Sequence, residues 1–241
     1  DYFDFVQMAD NRLGVAIGDV SGKGIPAALL MANLQAALQG QAIHPSTVAE
    51  TVARVNDLLV RSSEVNMYAT FFYGVLDGTD GSFLFCNAGH NPTLLMNSNG
   101  ESDWLSEGGI VIGMMSGQPY EEGRVVIHPD DADGEGDTAD AAARRIPATS
   151  RLAGHADDDD EDEEGYETED EEEYEDEDED DWDVAEEPNM FEEERLVKVV
   201  RQHAGGTARE IRDAVLGAVA EHTAGTPQSD DITLVVIKRT G

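Results

Sequence analysis

Aspartates stand beside strand-like runs at three distant places in this chain: "DYFDF" at its start, "AIGDVSGKG" at 16–24, and "SDDITLVVI" at 229–237. One aspartate at a strand end is ordinarily a turn former. Three such places are a different matter, because sheet pairing can gather the ends of distant strands at one edge. Asp1, Asp19, Asp230 and Asp231 would then form a set of hard oxygen donors. Mg2+ and Mn2+ prefer oxygen, keep several waters and need few carboxylates, so such a cluster would bind two of them.

The turn after Asp19 has its own logic. Gly22 and Gly24 permit backbone conformations and close approaches that a Cβ would block, and the start of the following helix favours an anion nearby. Lys23 invites comparison with a nucleotide-binding phosphate loop. "GDVSGKG" lacks that loop's longer spacing and its Lys-Ser/Thr pair, so a turn beside a metal is the better reading.

Positioning these groups requires a strand through "NRLGVAIGDV" and a helix from about Ile25 to Gln41, with Pro26 in its first turn. Leu29, Leu30, Ala32, Leu34, Ala37 and Leu38 are its expected buried face. A second helix opens with the capping pair Thr47 and Glu50, buries Val52, Val55, Leu58 and Leu59, and ends near Ser62. "MYATFFYGVLD", "GTDG" and "SFLFCNAG" read as a hairpin, with "PTLLMN" and "GRVVIHP" as further strands. Two helices follow late in the chain, "MFEEERLVKVVRQH" and "TAREIRDAVLGAVAEH", the latter opened by Thr207 and Glu210, before the closing strand "ITLVVIKR".

Composition narrows the setting. The net charge is −37, but 24 of the acids lie between Asp157 and Glu187; without them the other 210 residues carry −13, an ordinary balance. Extreme acidity belongs to one segment, which is expected to be a solvated, disordered low-complexity insertion spanning 130–189. Tyr166, Tyr174 and Trp182 within it could anchor a partner, whereas repulsion from phosphate argues against nucleic acid. The lone Cys86 sits among apolar neighbours and cannot form an internal disulfide. No apolar run approaches membrane-spanning length and the acidic start is not a signal peptide, so a cytoplasmic setting is expected. A first residue other than Met points to excision from something longer, with room for an upstream sensor domain.

Taken in order, "DYFDF", "RLGVAIGDVSGKGIPAALLMA", "FFYGVLD", "CNAGHNP" and "SDDITLVVI" resemble the metal-dependent protein phosphatases of the 2C type. The resemblance is to their bacterial branch, typified by the stage II sporulation E phosphatase and the sigma-factor regulatory serine phosphatases. It covers residues 1–129 and 190–241, which would together form one domain. It implies an α+β fold, an αββα four-layer sandwich of two antiparallel sheets flanked by helices, with two Mn2+ or Mg2+ ions at one edge. By that likeness Asp19 bridges both ions, Asp1 and the backbone carbonyl of Val20 serve one, and Asp230 serves the other. Asp4 and Asp231 are the substitutes if the register differs. The implied activity is hydrolysis of phosphoserine or phosphothreonine on a regulatory phosphoprotein, an anti-sigma-factor antagonist, with a metal-bound water and no catalytic side chain as nucleophile. Asn87, His90 and Asn91 in "NAGHNP" are read as a hairpin end held by hydrogen bonds, and His90 is not assigned as an acid.

The resemblance fails in one place. After "GRVVIHP" the family has an apolar strand and then Thr-Asp-Gly, whose aspartate is a further ligand; here the text is "PDDADGEGDTADAAARRIPATS". Asp133 is the only local echo. A catalytically impaired, phosphatase-like binding module is therefore the rival expectation, and a stand-in ligand or a reading-frame error are further explanations for the missing strand.

Overall fold

The computed structural model describes residues 1–62, 67–97, 100–128, 139–144 (backbone only), 191, 193–223 and 232–240. Two helices come early and two late, as the capping signals require: α1 Gly24–Ala42, α2 Val48–Ser62, α3 Glu193–His203 and α4 Ala208–His222. Thr47 and Glu50 exchange backbone and side-chain hydrogen bonds at 3.2 and 3.1 Å, and Thr207 and Glu210 do the same at 2.7 and 3.2 Å, so both expected caps are made.

The strands form two sheets. The first has β1 Tyr2–Gln7, β2 Arg12–Val20, β3 Ala69–Asp77 and β4 Ser82–Ala88 side by side, with β7 Gly108–Gly109 and β8 Gly123–Val126 both on β4. The second runs β10 Val236–Ile237, β9 Ala139–Arg144, β5 Thr93–Asn97, β6 Ser102–Leu105. Among the described strands every strand pairing is antiparallel except the two-residue contact of β4 with β7; a single parallel bridge also joins Phe71 to Gly89. The short strands β6 and β7 carry no pattern that the sequence reading recognised.

Strand parity builds the layers, since successive side chains leave a strand on opposite faces. In β2 and β3, Ala16, Val20, Phe71 and Tyr73 meet Leu30, Leu34 and Leu38 of α1 and Val52, Val55 and Leu59 of α2. Their neighbours Ile17 and Phe72 turn the other way, into a second cluster with Phe83, Phe85, Leu95 and Leu105 between the two sheets. In β5 the same alternation sends Leu95 inward and Leu94 and Met96 outward, against Leu196 and Val200 of α3 and Ile211 and Val215 of α4. The result is the expected αββα sandwich.

Two expectations are corrected. Patterning gave no strand or helix between Asp130 and Pro188, yet the backbone of Ala139–Arg144 forms β9 in the middle of the second sheet. Pairing uses main-chain groups that any residue carries, and β9 covers the edges that β5 and β10 would otherwise present to each other's side. The rest of the expected acidic insertion lies outside the described residues. The second correction concerns α1, which contains no charged residue, so that its exposed face is marked only by the uncharged Asn33, Gln35 and Gln39. It buries Leu30, Leu34 and Leu38 but exposes Leu29 and Ala32; on α2, Leu58 is likewise turned outward.

Two measurements follow. Leu34→Ala should lose about 3 kcal/mol in urea unfolding, whereas Leu29→Ala should stay within about 0.5 kcal/mol of wild type. Cys86 is fully buried, and burial, reinforced by Glu122, pushes its thiol up to about 12. At pH 8 only about one molecule in ten thousand is then the reactive thiolate, against about a quarter for an ordinary thiol. Iodoacetamide at pH 8 should leave native Cys86 unmodified and label it fully in denaturant.

Candidate functional site

β2 delivers Asp19 to one end of the first sheet. Its register with β1 pairs Tyr2 with Gly18, so the next step places Asp1 against Asp19. On its other side Asp19 is paired with Thr70 of β3. Residues directly opposite share a face, and this face is the one on which Ile17 and Phe72 point between the sheets. The expected meeting of Asp1 and Asp19 is therefore a consequence of strand register.

The C-terminal segment reaches the same place. Thr233 Oγ1 donates to Asp1 Oδ2 at 2.5 Å, joining residues 232 positions apart in the chain. Asp230 and Asp231, three and two residues before that threonine, lie outside the described residues, as does Asp133. Among the described residues no three His, Cys, Asp or Glu side chains cluster closely enough to hold an ion by themselves.

Asp4, the substitute for Asp1 if the register differed, lies on the other face of β1. Parity puts it on the helix side of β1, where its Oδ2 accepts from Gln39 Nε2 of α1 at 2.7 Å and from the Tyr2 hydroxyl at 3.1 Å. Burial, then the Asp4 charge beside it, drives the Tyr2 hydroxyl well above the usual phenol range. That proton stays in place to bind the carboxylate.

Beyond Asp19 the chain must turn sharply into α1. Gly22 and Gly24 have φ of +82° and +74°, and Lys23 between them is the extended N-cap, with φ −137° and ψ 162°. Both glycines are thus required by conformation, as the sequence implied. Val20 is clamped from either side: the Asp19 N–H reaches Thr70 Oγ1 at 3.3 Å, while Ser21 donates its N–H to the Tyr68 carbonyl at 2.8 Å and its Oγ accepts the Tyr68 N–H at 2.9 Å.

The "NAGHNP" block lies behind this row. His90 and Asn87 are buried, and Asn91 is half-buried. The His90 N–H donates to Asn87 Oδ1 at 2.7 Å, which closes the end of β4 as the hydrogen-bonded hairpin end expected for it. His90 Nδ1 is also 2.6 Å from Thr70 Oγ1. Thr70, Tyr68 and Thr233 were not singled out in the sequence; the signal available for Thr70 was a single non-aromatic polar residue in the run "MYATFFYGVL".

Like charges directly opposite on paired strands destabilise a sheet. Asp1 and Asp19, with the Val20 carbonyl next in line, form an all-oxygen donor set whose repulsion a hard cation would relieve, so these residues fit a divalent ion.

Comparison with known proteins places this geometry in context. The sequence model of the family described as Stage II sporulation protein E (SpoIIE) matches residues 9–132 and 177–240. The phosphoserine phosphatase RsbU of Bacillus subtilis is 31% identical over 126 residues, an alignment covering 51% of this chain and 36% of RsbU. The chain therefore spans about a third of that relative's length. Among solved structures, the RsbU and RsbW domains of a Mycobacterium tuberculosis protein superpose with a TM-score of 0.65 at 23% identity, covering 99% of this chain and 56% of that one. The PP2C phosphatase domain of the Bacillus subtilis cell fate determinant SpoIIE, with a fragment of its regulatory domain, gives 0.63 at 15% identity, covering 98% and 57%. Both superpositions establish the fold as that of the 2C-type phosphatase domains.

The separation of faces on β1 yields a prediction. Asp4→Asn should leave Mn2+ binding at the wild-type level by calorimetric titration, while Asp1→Asn should weaken it at least about tenfold; equal losses would put the ligand at position 4.

Proposed function

The chain belongs to the SpoIIE family, and from that premise we propose that it is a metal-dependent protein serine/threonine phosphatase acting on a regulatory phosphoprotein. The observation that carries the reading is the convergence of Asp1, Asp19 and the Thr233 segment at one sheet end. RsbU, a phosphoserine phosphatase by name, supplies the reaction class. Phosphoserine or phosphothreonine on an anti-sigma-factor antagonist is the substrate class consistent with these relatives.

Asp1, Asp19, the carbonyl of Val20 and Asp230 would hold two divalent ions, Mn2+ or Mg2+. When bound, such ions lower the pKa of water and neutralise phosphate charge. The protein's own contribution is orientation. β1 and β2 hold the two carboxylates side by side, Thr70 and Tyr68 fix the backbone on either side of Val20, and Thr233 occupies one oxygen of Asp1 so that the other is directed elsewhere. Gly22, Lys23 and Gly24 lead the main chain away from this end into α1. No covalent enzyme intermediate is needed.

A specific observation also favours the rival reading, a phosphatase-like module that binds without turnover. Antiparallel pairing of β9 sets Arg144 opposite Thr93, at the end of the second sheet next to the "NAGHNP" block. The family's Thr-Asp-Gly would follow the strand at this position; here Arg145 follows, and no carboxylate occurs until Asp157. One ligand of the usual set thus has no counterpart in the sequence directly after this strand.

Hydrolysis of p-nitrophenyl phosphate separates the readings. An enzyme should show Mn2+-dependent turnover that EDTA abolishes and that falls at least about 100-fold in Asp19→Asn and in Asp230→Asn. Absence of turnover with every divalent ion, in a folded protein that still titrates Mn2+, would favour the binding module.

A further inference from the structure

Thr70 stands between the candidate ligands and the buried end of the hairpin. Its Oγ1 accepts the Asp19 N–H at 3.3 Å, lies 3.5 Å from the Asp19 carbonyl oxygen and 2.6 Å from His90 Nδ1. A hydroxyl has one proton and two lone pairs, and these neighbours use them in either tautomer of His90. If Oγ1 donates to Nδ1, it accepts from Asp19; if Nδ1–H donates to Oγ1, the hydroxyl proton turns to the Asp19 carbonyl.

His90 is fixed in its turn. It is 5% exposed, and its own N–H is held by Asn87 Oδ1, Asn87 being 4% exposed. The Asn87 backbone is pinned by the Glu107 carbonyl at 2.7 Å and by the pairing of β4 with β7. A chain of contacts therefore runs from the paired end of β4 through Asn87, His90 and Thr70 to the backbone of Asp19.

That backbone needs holding. Asp19 is the next-to-last residue of β2 before the chain leaves the sheet, beside a second carboxylate that repels it, and its neighbour Val20 is to present a carbonyl in a fixed direction. Hydrogen bonds behind a metal ligand set its orientation, and losing one typically weakens metal binding by about 10- to 100-fold. We infer that Thr70, held by His90 and Asn87, is a positioning residue for the divalent pair. This rests on the phosphatase reading above. It gives the "NAGH" block a task beyond closing the hairpin: it is the buried strut behind the ligand strand.

The test uses the full chain with Mn2+ as probe, read by calorimetric titration, by the Mn2+ dependence of p-nitrophenyl phosphate turnover, and by thermal melting without metal. Thr70→Val keeps the shape and removes the hydroxyl. It should raise the Mn2+ dissociation constant about tenfold and the metal concentration for half-activity in parallel, leaving the KM for p-nitrophenyl phosphate at saturating Mn2+ within about twofold. Thr70→Ser should restore wild-type metal affinity. His90→Phe should match Thr70→Val, His90→Asn, which keeps a polar atom near the Nδ1 position, should recover most of the loss, and the Thr70→Val/His90→Phe double variant should be no worse than either single one.

Unchanged Mn2+ affinity in Thr70→Val overturns the inference, and so does an equal loss in Thr70→Ser, or a fall confined to the metal-free melting temperature. These failures leave wild-type turnover intact. A wild-type chain that neither binds nor uses Mn2+ instead removes the phosphatase reading, and the inference with it.

Discussion

Antiparallel register between β1, β2 and β3 is the constraint on which the rest of the structure depends. Because paired residues share a face, the pairing of Tyr2 with Gly18 commits Asp1 and Asp19 to the same side of the sheet, and the pairing of Asp19 with Thr70 commits that threonine to the row as well. A slip of one residue in β2 would exchange the faces completely. Asp19 would then point at α1, and Ile17 would leave the inter-sheet core. The hydrophobic layers that stabilise the sandwich thus also aim the carboxylates, and no separate device is needed to choose their direction.

The same constraint explains why the charged end is tolerable. Ile17, Phe72, Phe83 and Phe85 fill the space between the sheets a few residues from Asp19, and three of the ring pairs among the phenylalanines stack at 5.8–6.3 Å. This packed interior fixes the strands while their ends carry like charges. Stability is supplied by the core and the helices on its outer faces, and the sheet end is left to chemistry. Thr70 lies at the junction of the two, one and two residues from Phe71 and Phe72 in the core and in contact with both Asp19 and His90.

Much of this was legible in the sequence because several independent signals agreed. The two capping boxes, the hairpin around "GTDG" and the glycines flanking Lys23 each carry a local physical reason, and the structure realises each one. What was not legible lacked such a signal. β9 has no apolar alternation, since "ADAAAR" enters the sheet through its backbone alone. The exposed face of the charge-free helix α1 is marked only by the amides Asn33, Gln35 and Gln39, a weaker signal than charge, and Leu29 precedes Asn33 on that side. Thr70 looks like any polar residue in an apolar strand until the register is known. Asp4 and Asp1 were equally acidic in the text, and only the parity of β1 separates the one that meets Gln39 from the one that meets Thr233.

The central claim is that Asp1, Asp19, Val20 and Asp230 together grip two hard cations, and anomalous diffraction from crystals grown with Mn2+ tests it most directly. The account predicts two manganese peaks on either side of the Asp19 carboxylate, one of them also bonded to Asp1 and the Val20 carbonyl and the other to Asp230. Manganese found away from this sheet end, or a refined structure in which Asp230 lies far from Asp19 with no ion between them, would contradict it.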